Sequence, residues 1–512
     1  MISIARASPG LRFTRGGIVA AFLVAGAVML PFADLAVTGR DPWRELTGLF
    51  IGLVTPDFAA IEGLGFALAT TLGFAIAAVA VGATTGLALA PFYHWGPIRA
   101  VCIAARSIHE LFWALLLMQV YGISVATGVM AIALPYAGIF GKVFSEYLDE
   151  ADRRPREMLG RDTDAISSFL YARLPLAMPE VRTYVLYRLE CGIRSSAVLG
   201  FIGLPTLGFQ LDTYFKQGDY QTVGAILILY FTMIGTIRWW FRWRWAVLYV
   251  ASAVVALSLV ASPPVGSGGL WRFLTSDIVP FPLRGADPTA WATWAAFGDW
   301  LRAIAIDAAI PGIIATLVVA QLALILTGLL ALAAFPLIVP RVSGRVGSAA
   351  GHIGLVVGRS CPEYMLAYIF LQVLGPSMLP AILALGLHNG AIIAHLLGRQ
   401  GEALCGRLRR DAPRGLDLYG YELVPRLYGS FLALCLYRWE IIIRESAIVG
   451  MLGVATLGFY IDNAVNELKL DQVAALLVAT VLVTALVDWL SRSVRAAIGA
   501  ARLSVSEQVC AR

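Results

Sequence analysis

The chain has 512 residues, of which 59% are hydrophobic and 14% charged, and its mean hydropathy is +0.77. Soluble proteins are about 45–50% apolar and about 25% charged, so this composition excludes a soluble globular protein and predicts a polytopic membrane protein. The net charge of +6 comes mostly from arginine, which in a membrane protein sets topology, and no nucleic-acid partner is expected. The six cysteines have no C-x-x-C or other metal spacing, so neither a disulfide framework nor a zinc site is predicted.

Apolar runs predict an all-α fold of about twelve transmembrane helices, arranged as two sets of six. The first run follows a basic segment without an evident cleavage site, so we expect a retained helix and not a signal peptide. The predicted spans lie at 17–37, 64–90, 98–120, 123–145, 176–203 and 221–237, and then at 245–261, 301–339, 350–374, 379–398, 427–453 and 472–490.

Arginine-rich loops alternate with loops that are poor in arginine, which predicts that the basic loops and both termini are cytoplasmic. The opposite loops, 38–63 and 262–300, are richer in tryptophan and are expected to face outward. An even number of spans in each set makes the two sets parallel to each other.

The segment 187–212 recurs at 437–462, and both copies follow the pattern Y-R-x-E-x-x-x-R-x-S-A-x-x-G-x-x-G-x-x-T-L-G-F. A second match relates 106–122 to 359–375. The chain is therefore predicted to be a tandem duplication, with one six-helix repeat in 1–240 and the other in 241–512.

The duplicated segments carry charge inside apolar sequence. Arginine and glutamate recur four residues apart, a spacing that places both on one face of a helix. The four pairs predicted in this way are Arg106–Glu110, Glu190–Arg194, Arg359–Glu363 and Glu440–Arg444. Each is either a buried structural ion pair or part of a polar path, since ionisable groups inside a membrane usually face a cavity or a bundle interior. Arg188 and Arg438 have no carboxylate four residues away and are the preferred unpaired cations, unless they pair across helices.

Six glycines flank a predicted helix break on the outer side, namely Gly200, Gly203, Gly208, Gly450, Gly453 and Gly458. They serve either close helix packing or a gate near the outer mouth. His109 and His388 lie in or near spans and are interpreted as hydrogen-bonded packing residues. No spacing typical of a catalytic site or a metal site is present, so no enzymatic activity is expected.

A long cytoplasmic loop precedes the fifth span of each repeat, at 146–175 and 399–425. The loops close on Leu174–Pro175 and Val424–Pro425. Each contains a short amphipathic helix, which includes Ile166 and Phe169 in the first loop and Leu416 and Tyr419 in the second. Such a helix lies on the membrane surface or docks into a groove of a partner protein.

These loops, with the duplicated segment that follows them, resemble the permeases of binding-protein-dependent ABC importers, and the phosphonate type most of all. The resemblance covers roughly 65–237 and 310–490. It departs from the family at Asp162 and Ala412, where the coupling loop is expected to have glycine, and in having two permease units in one chain.

The resemblance implies an inner-membrane permease for a phosphonate or a related phosphorus oxyanion, working by alternating access. The implied partners are two copies of a cytoplasmic ATPase, an external substrate-binding protein and membrane lipid. The chain has no G-x-x-x-x-G-K-[ST] motif, so no cofactor is expected in it, and ATP and magnesium are expected on the partner ATPase. The main alternative is a secondary transporter driven by an ion gradient; a channel or scaffold would leave the duplicated charges unexplained.

Overall fold

A computed structural model describes residues 15–39, 41–152, 158, 163–263, 268–409 and 413–497. These residues form helices and loops without any strand, which confirms the all-α fold. The main helices are α1 (Arg15–Met29), α2 (Pro42–Val54), α3 (Leu64–Leu89), α4 (Gly96–Ser107), α5 (Glu110–Tyr121), α6 (Val125–Glu150), α7 (Leu174–Val198), α8 (Leu207–Gln217), α9 (Tyr220–Gly235), α10 (Ala246–Ser258), α11 (Trp291–Ile304), α12 (Ile310–Ala334), α13 (Pro340–Ser360), α14 (Glu363–Leu374), α15 (Met378–Cys405), α16 (Val424–Met451), α17 (Leu457–Asn466) and α18 (Leu470–Ala497).

Five helical stretches within the described residues are long and apolar enough to cross a membrane, and the number rises to seven when each of two bent helix pairs is one span. A polytopic membrane protein is therefore confirmed. Several other predicted spans correspond to shorter apolar helices, including α9 and α14. The count of twelve stays a prediction.

The run from α3 to α9 has the same order of helices as the run from α12 to α18. One polar contact occurs in both runs. The Thr71 hydroxyl accepts a hydrogen bond from the Leu207 amide at 2.9 Å, and the Thr316 hydroxyl accepts one from the Leu457 amide at 3.0 Å. We call α3–α9 the first unit and α12–α18 the second; the repeat boundary at residue 240 stays a prediction.

The first helix of each predicted repeat, α1 or α10, packs on the unit of the other repeat. Helix α1 lies against α12, where the Gln321 side-chain amide donates to the Phe22 carbonyl at 2.9 Å. Helix α10 lies against α3, where Gly73 faces Leu257 closely enough that a Cβ would be 3.2 Å from its side chain. The exchange of these helices joins the two units into one body.

Two predicted spans are broken helices. Helices α4 and α5 meet at 96°, because Ile108 and His109 have extended backbone angles. In the second unit Pro362 separates α13 from α14; the residue before a proline is biased away from helical angles, and Cys361 is extended. The predicted continuous spans 98–120 and 350–374 are therefore corrected to two helices each.

The short helices that the sequence predicts on the cytoplasmic side are continuous with the helices that follow. Ala165–Ser167 and Gly415–Asp417 pass through π-helical turns, Ser168–Arg173 and Leu418–Leu423, directly into α7 and α16. The amides of Leu174 and Val424, just before the prolines, donate to the carbonyls of Phe169 and Tyr419, five residues back, so the π turn leads into the next helix without a break. Pro175 and Pro425 therefore lie within continuous helices, and we call the two segments 164–173 and 414–423 the coupling segments.

Candidate functional site

Charged side chains from both units meet where α4 and α13 end. Arg106 pairs across the interface, with Nη1 at 3.0 Å from Glu440 Oε1 and Nη2 at 3.4 Å from Asp488 Oδ2. Asp488 also pairs with Arg492 at 2.9 Å. The Arg106 and Asp488 side chains are 11% and 6% exposed, so this network is largely buried.

The four ion pairs predicted along single helices are wrong in geometry. Arg106 and Glu110 lie on opposite sides of the break between α4 and α5, and Arg359 and Glu363 lie on opposite sides of the break at Pro362. Among the ion pairs formed by described residues, neither Glu190–Arg194 nor Glu440–Arg444 occurs. In this layer Arg106 connects the two units, and Asp488–Arg492 is an ion pair within one helix, α18.

Two arginines of the long helices cap the broken helices of the opposite unit. Arg194 Nη1 donates to the Arg359 carbonyl at 3.3 Å, and Arg444 Nη1 donates to the Arg106 carbonyl at 2.9 Å. A cation at a helix C-terminus satisfies carbonyls that have no partner within the helix and complements the helix dipole. The two caps follow the duplication and tie each unit to the other.

All four of these arginines keep unused donor capacity. Buried Nε atoms without a hydrogen-bond partner occur in Arg106, Arg194, Arg359 and Arg444. Arg359 differs from its counterpart Arg106, because its side chain makes no hydrogen bond and no ion pair within the described part of the chain. Orphaned buried donors are costly unless a further acceptor satisfies them, so each of these arginines can still donate one hydrogen bond.

Next to the broken helices, the two units have different polar side chains. In the first unit, the Ser195 hydroxyl donates to Glu110 Oε1 at 2.6 Å. The second unit has Glu445 at the position of Ser195, and Glu445 joins Glu363 and His388 in a cluster whose ligand atoms lie within 4.8 Å of one another. The sequence analysis assigned no role to Glu445 and interpreted His388 as a packing residue. Comparing the two copies of the duplicated segment position by position would have exposed the change from serine to glutamate.

Arg188 and Arg438 make no ion pair among the described residues. The Arg188 Nε donates to the Tyr184 hydroxyl at 3.1 Å, and its guanidinium lies 5.3 Å from the centre of the Tyr136 ring. Arg438 Nη1 donates to Asn389 Oδ1 at 3.3 Å. Aromatic rings and an amide thus hold these cations, and a place on the substrate path stays a prediction for them and for the other charged residues named above.

The glycines form a helix break in each unit. Gly203 and Gly453 have φ angles of +90° and +92°, which side chains rarely adopt. Gly200 and Gly450 abut the start of the next helix, where a Cβ would lie 2.0 Å from the Phe209 nitrogen and 2.2 Å from the Phe459 nitrogen. Close packing therefore accounts for Gly200 and Gly450, and a gating role stays a prediction.

Each coupling segment exposes apolar side chains at matching positions. Ile166 and Leu416 are 70% and 80% exposed, and Tyr171 and Tyr421 are 81% and 80% exposed. Phe169 is only half-buried, and Tyr419 turns inward and donates from its hydroxyl to the Leu332 carbonyl at 3.1 Å.

Among the other residues predicted for the coupling loops, Leu174 and Val424 are half-buried, whereas Pro175 and Pro425 are exposed. Asp162 and Ala412 lie outside the described residues.

The chain is 25% identical over 419 residues, 78% of its length and 77% of the relative's, to the phosphate-import permease protein PhnE of Mycolicibacterium smegmatis. It is 29% identical over 190 residues, 35% of its length and 69% of the relative's, to the phosphite transport system permease protein PtxC of Stutzerimonas stutzeri. A segment of 118 residues, 22% of the chain, is 27% identical to PhnE2 of Escherichia coli and covers 97% of that protein, whose name assigns it to a cryptic phosphonate transport system. The resemblance to phosphonate-type ABC permeases is confirmed.

No family model and no solved structure matches the chain. The PhnE-like similarity extends over most of the chain through the first relative. Together with the apolar helices, this similarity indicates a multi-pass membrane protein. The relatives that the chain resembles are transport permeases of the ABC-importer type, which are not enzymes.

Proposed function

We propose that this chain is the transmembrane permease subunit of an ATP-driven importer for a phosphorus oxyanion, with two permease units in one polypeptide. The observation that carries the proposal is the matched exposure of Ile166 with Leu416 and of Tyr171 with Tyr421, in a PhnE-like chain. Each exposed apolar segment can dock into a groove of a partner protein, as in a helix-in-groove contact. Because the two segments are equivalent, two copies of one partner are expected.

The arginine layer supports a phosphorus oxyanion as solute. The relatives are named for phosphate, phosphite and phosphonate, which share a tetrahedral anionic head. Guanidinium groups bind such heads through paired N–H donors, and the four arginines at the interface keep buried Nε donors without acceptors. We infer that the anion passes between the units and makes transient contacts with these donors.

The contacts that charged side chains make between the two units support alternating access. The Arg106 pair and the two arginine caps all join one unit to the other. Closing of the ATPase pair would move the coupling segments together, tilt α7 and α16, and exchange these contacts as the units rock. ATP and magnesium bind to the ATPase. An external binding protein delivers the solute to the outer face of the chain. The chain lies in the inner membrane with both termini in the cytoplasm.

A secondary transporter is the alternative, since buried glutamates and arginines also suit ion-gradient coupling. Such a protein has no use for two exposed apolar segments at equivalent positions, and the relatives carry permease names. The alternative and the proposal differ in whether an ATPase binds.

The test is a pull-down of the full chain in detergent with the ATPase encoded beside it, counting ATPase copies per chain. Two copies are expected for the unmodified chain, one copy for Ile166→Asp or Leu416→Asp alone, and none for the double variant. Val54→Asp is the matched control, because Val54 is 65% exposed on α2, away from the coupling segments. Absence of ATPase together with uptake that collapses when the ion gradient is dissipated would overturn the proposal.

A further inference from the structure

We propose that the second unit holds one divalent transition-metal ion at Glu363, His388 and Glu445. This site is independent of the solute and of the ATPase. It lies beside the break between α13 and α14, and its three ligands come from three helices: the first residue of α14, the middle of α15 and the C-terminal part of α16. Their ligand atoms lie within 4.8 Å of one another, close enough for small side-chain movements to place all three on one ion.

The histidine is oriented as a metal ligand. His388 Nδ1 lies 2.8 Å from the Cys361 carbonyl, which can only accept, so Nδ1 carries the proton and the lone pair is on Nε2. Nε2 lies 3.6 Å from Glu363 Oε2, beyond hydrogen-bond distance. Two acceptors that face each other repel unless a proton or a metal ion lies between them. An imidazole held by a backbone carbonyl through its other nitrogen is the usual arrangement around a protein metal.

The second carboxylate is also held from behind. Asn389 donates from Nδ2 to Glu445 Oε2 at 3.0 Å, and Asn389 Oδ1 in turn accepts from Arg438 at 3.3 Å. Asn389 is fully buried, so this chain fixes the carboxylate in one orientation. Arg438 thus meets the cluster through an amide and does not pair with either glutamate.

Burial makes a bound cation favourable. The side chains of His388 and Glu363 are 2% and 17% exposed, and Glu445 is 8% exposed. Neither glutamate is within 4 Å of a lysine or arginine nitrogen among the residues that the structure describes, and two adjacent buried carboxylates repel each other unless a positive charge separates them. The residual exposure of Glu363 leaves a way in for an ion. An imidazole ligand favours zinc, cobalt or nickel over calcium or magnesium.

The first unit shows what the same fold does without such a site. At the positions of His388 and Glu445 it has Pro135 and Ser195, and the Ser195 hydroxyl satisfies the single carboxylate of Glu110 at 2.6 Å. The first unit also has a histidine at its carboxylate, with His109 Nε2 at 3.4 Å from Glu110 Oε2, but it has a serine in place of the second carboxylate. Glu445 is the group that only the second unit has, and a metal there would join α14, α15 and α16 at the break.

The test uses the full chain, purified without a histidine tag and placed in lipid nanodiscs. Zinc content after equilibrium dialysis and the visible absorption of added Co²⁺ measure binding, and neither depends on transport. One ion per chain is expected. Glu363→Gln, His388→Gln and Glu445→Ser should each abolish the cobalt spectrum, and Asn389→Ala should weaken binding roughly 10–100-fold.

Matched controls separate the site from general metal binding and from misfolding. Glu110→Gln and His109→Gln change the corresponding region of the first unit and should leave binding intact. Glu445→Ser introduces the residue that the first unit already has, and its thermal unfolding in EDTA should equal that of the unmodified chain. A chain that binds no ion, or an ion that Glu445→Ser does not remove, would overturn the proposal while leaving the importer proposal unaffected.

Discussion

The two units share a backbone plan and differ in the side chains that the plan brings together. Both have a broken helix capped by an arginine of the opposite unit, at 3.3 Å in one case and 2.9 Å in the other. Arg106, however, is held by two carboxylates, whereas its counterpart Arg359 has no ion pair within the described ranges. Duplication thus preserved the geometry of the interface and left its charges free to diverge.

The aromatic residues near the glycine breaks also differ between the two units. Phe201 lies 5.5 Å from Tyr364 and 6.5 Å from Tyr368, and Phe215 lies 5.1 Å from Tyr368, measured between ring centres. The counterparts of these four aromatic residues are aliphatic, namely Met451, Leu111, Leu115 and Val465. One of the two equivalent contacts between the units is therefore a set of edge-packed rings, and the other has no aromatic specificity.

The largest expected difference between the units comes from Arg106→Ala and Arg359→Ala. Removing Arg106 leaves Glu440 buried without its cation, while Asp488 keeps its ion pair with Arg492, and breaking a buried ion pair in this way costs about 3–5 kcal/mol. Removing Arg359 breaks no ion pair and should cost much less. Thermal unfolding of both variants in the same detergent measures the difference.

Both variants keep the backbone carbonyl that the opposite arginine caps, so the comparison isolates the side chains. Glu440→Gln combined with Arg106→Ala should recover part of the lost stability, because it removes one stranded charge. Equal destabilisation by Arg106→Ala and Arg359→Ala would show that the asymmetry of the ion pairs has no energetic weight.

A smaller effect is expected for the glycines, and here the two units should agree. In Gly200→Ala the new Cβ would lie 2.0 Å from the Phe209 nitrogen, and in Gly450→Ala it would lie 2.2 Å from the Phe459 nitrogen. Overpacking of this kind costs about 1–3 kcal/mol. Gly235→Ala is the control, since nothing lies within 4 Å of its added Cβ. Unchanged thermal stability with lost uptake would favour the gate over close packing.

The fold was predictable where it depends on long apolar runs and on the internal sequence repeat. The duplicated segments and most helix positions agree with the sequence analysis, because long apolar runs must form helices in a membrane. The breaks were missed, although Pro362 is a local signal for one of them. The break at Ile108 has no proline, and the His109 ring accepts from the Leu111 amide at 3.2 Å to begin the next helix.

Missing the breaks also explains the wrong ion pairs. A spacing of four residues indicates a shared face only within one uninterrupted helix. Once the helix turns between Arg106 and Glu110, the partners come from the other unit, and no local spacing reveals Glu440 or Asp488. The site could be predicted as a charged layer between repeats, but its contacts depend on tertiary structure.

The smallest effect is expected at the start of the coupling segments, where the two units again differ. Asp164 Oδ2 accepts from the backbone amides of Ile166 and Ser167 at 3.1 and 3.0 Å, whereas the corresponding Arg414 makes no side-chain cap. Asp164→Ala should therefore speed backbone hydrogen exchange over 165–173 and leave 415–423 unchanged.

The same cap gives a pH dependence of known sign. A hydrogen bond with the Ser167 side chain, followed by its backbone amide, lowers the pKa of Asp164 below its ordinary value. A carboxylate with a lowered pKa stabilises the folded segment above its unfolded pKa of about 3.9 and loses that contribution as the pH falls through the folded value. Protection of 165–173 should accordingly be constant near neutral pH and decline only in acid, and it should decline less in Asp164→Asn, whose amide oxygen still caps. If the two coupling segments exchange alike in every variant, the cap does not distinguish them and their docking surfaces are equivalent in stability as well as in exposure.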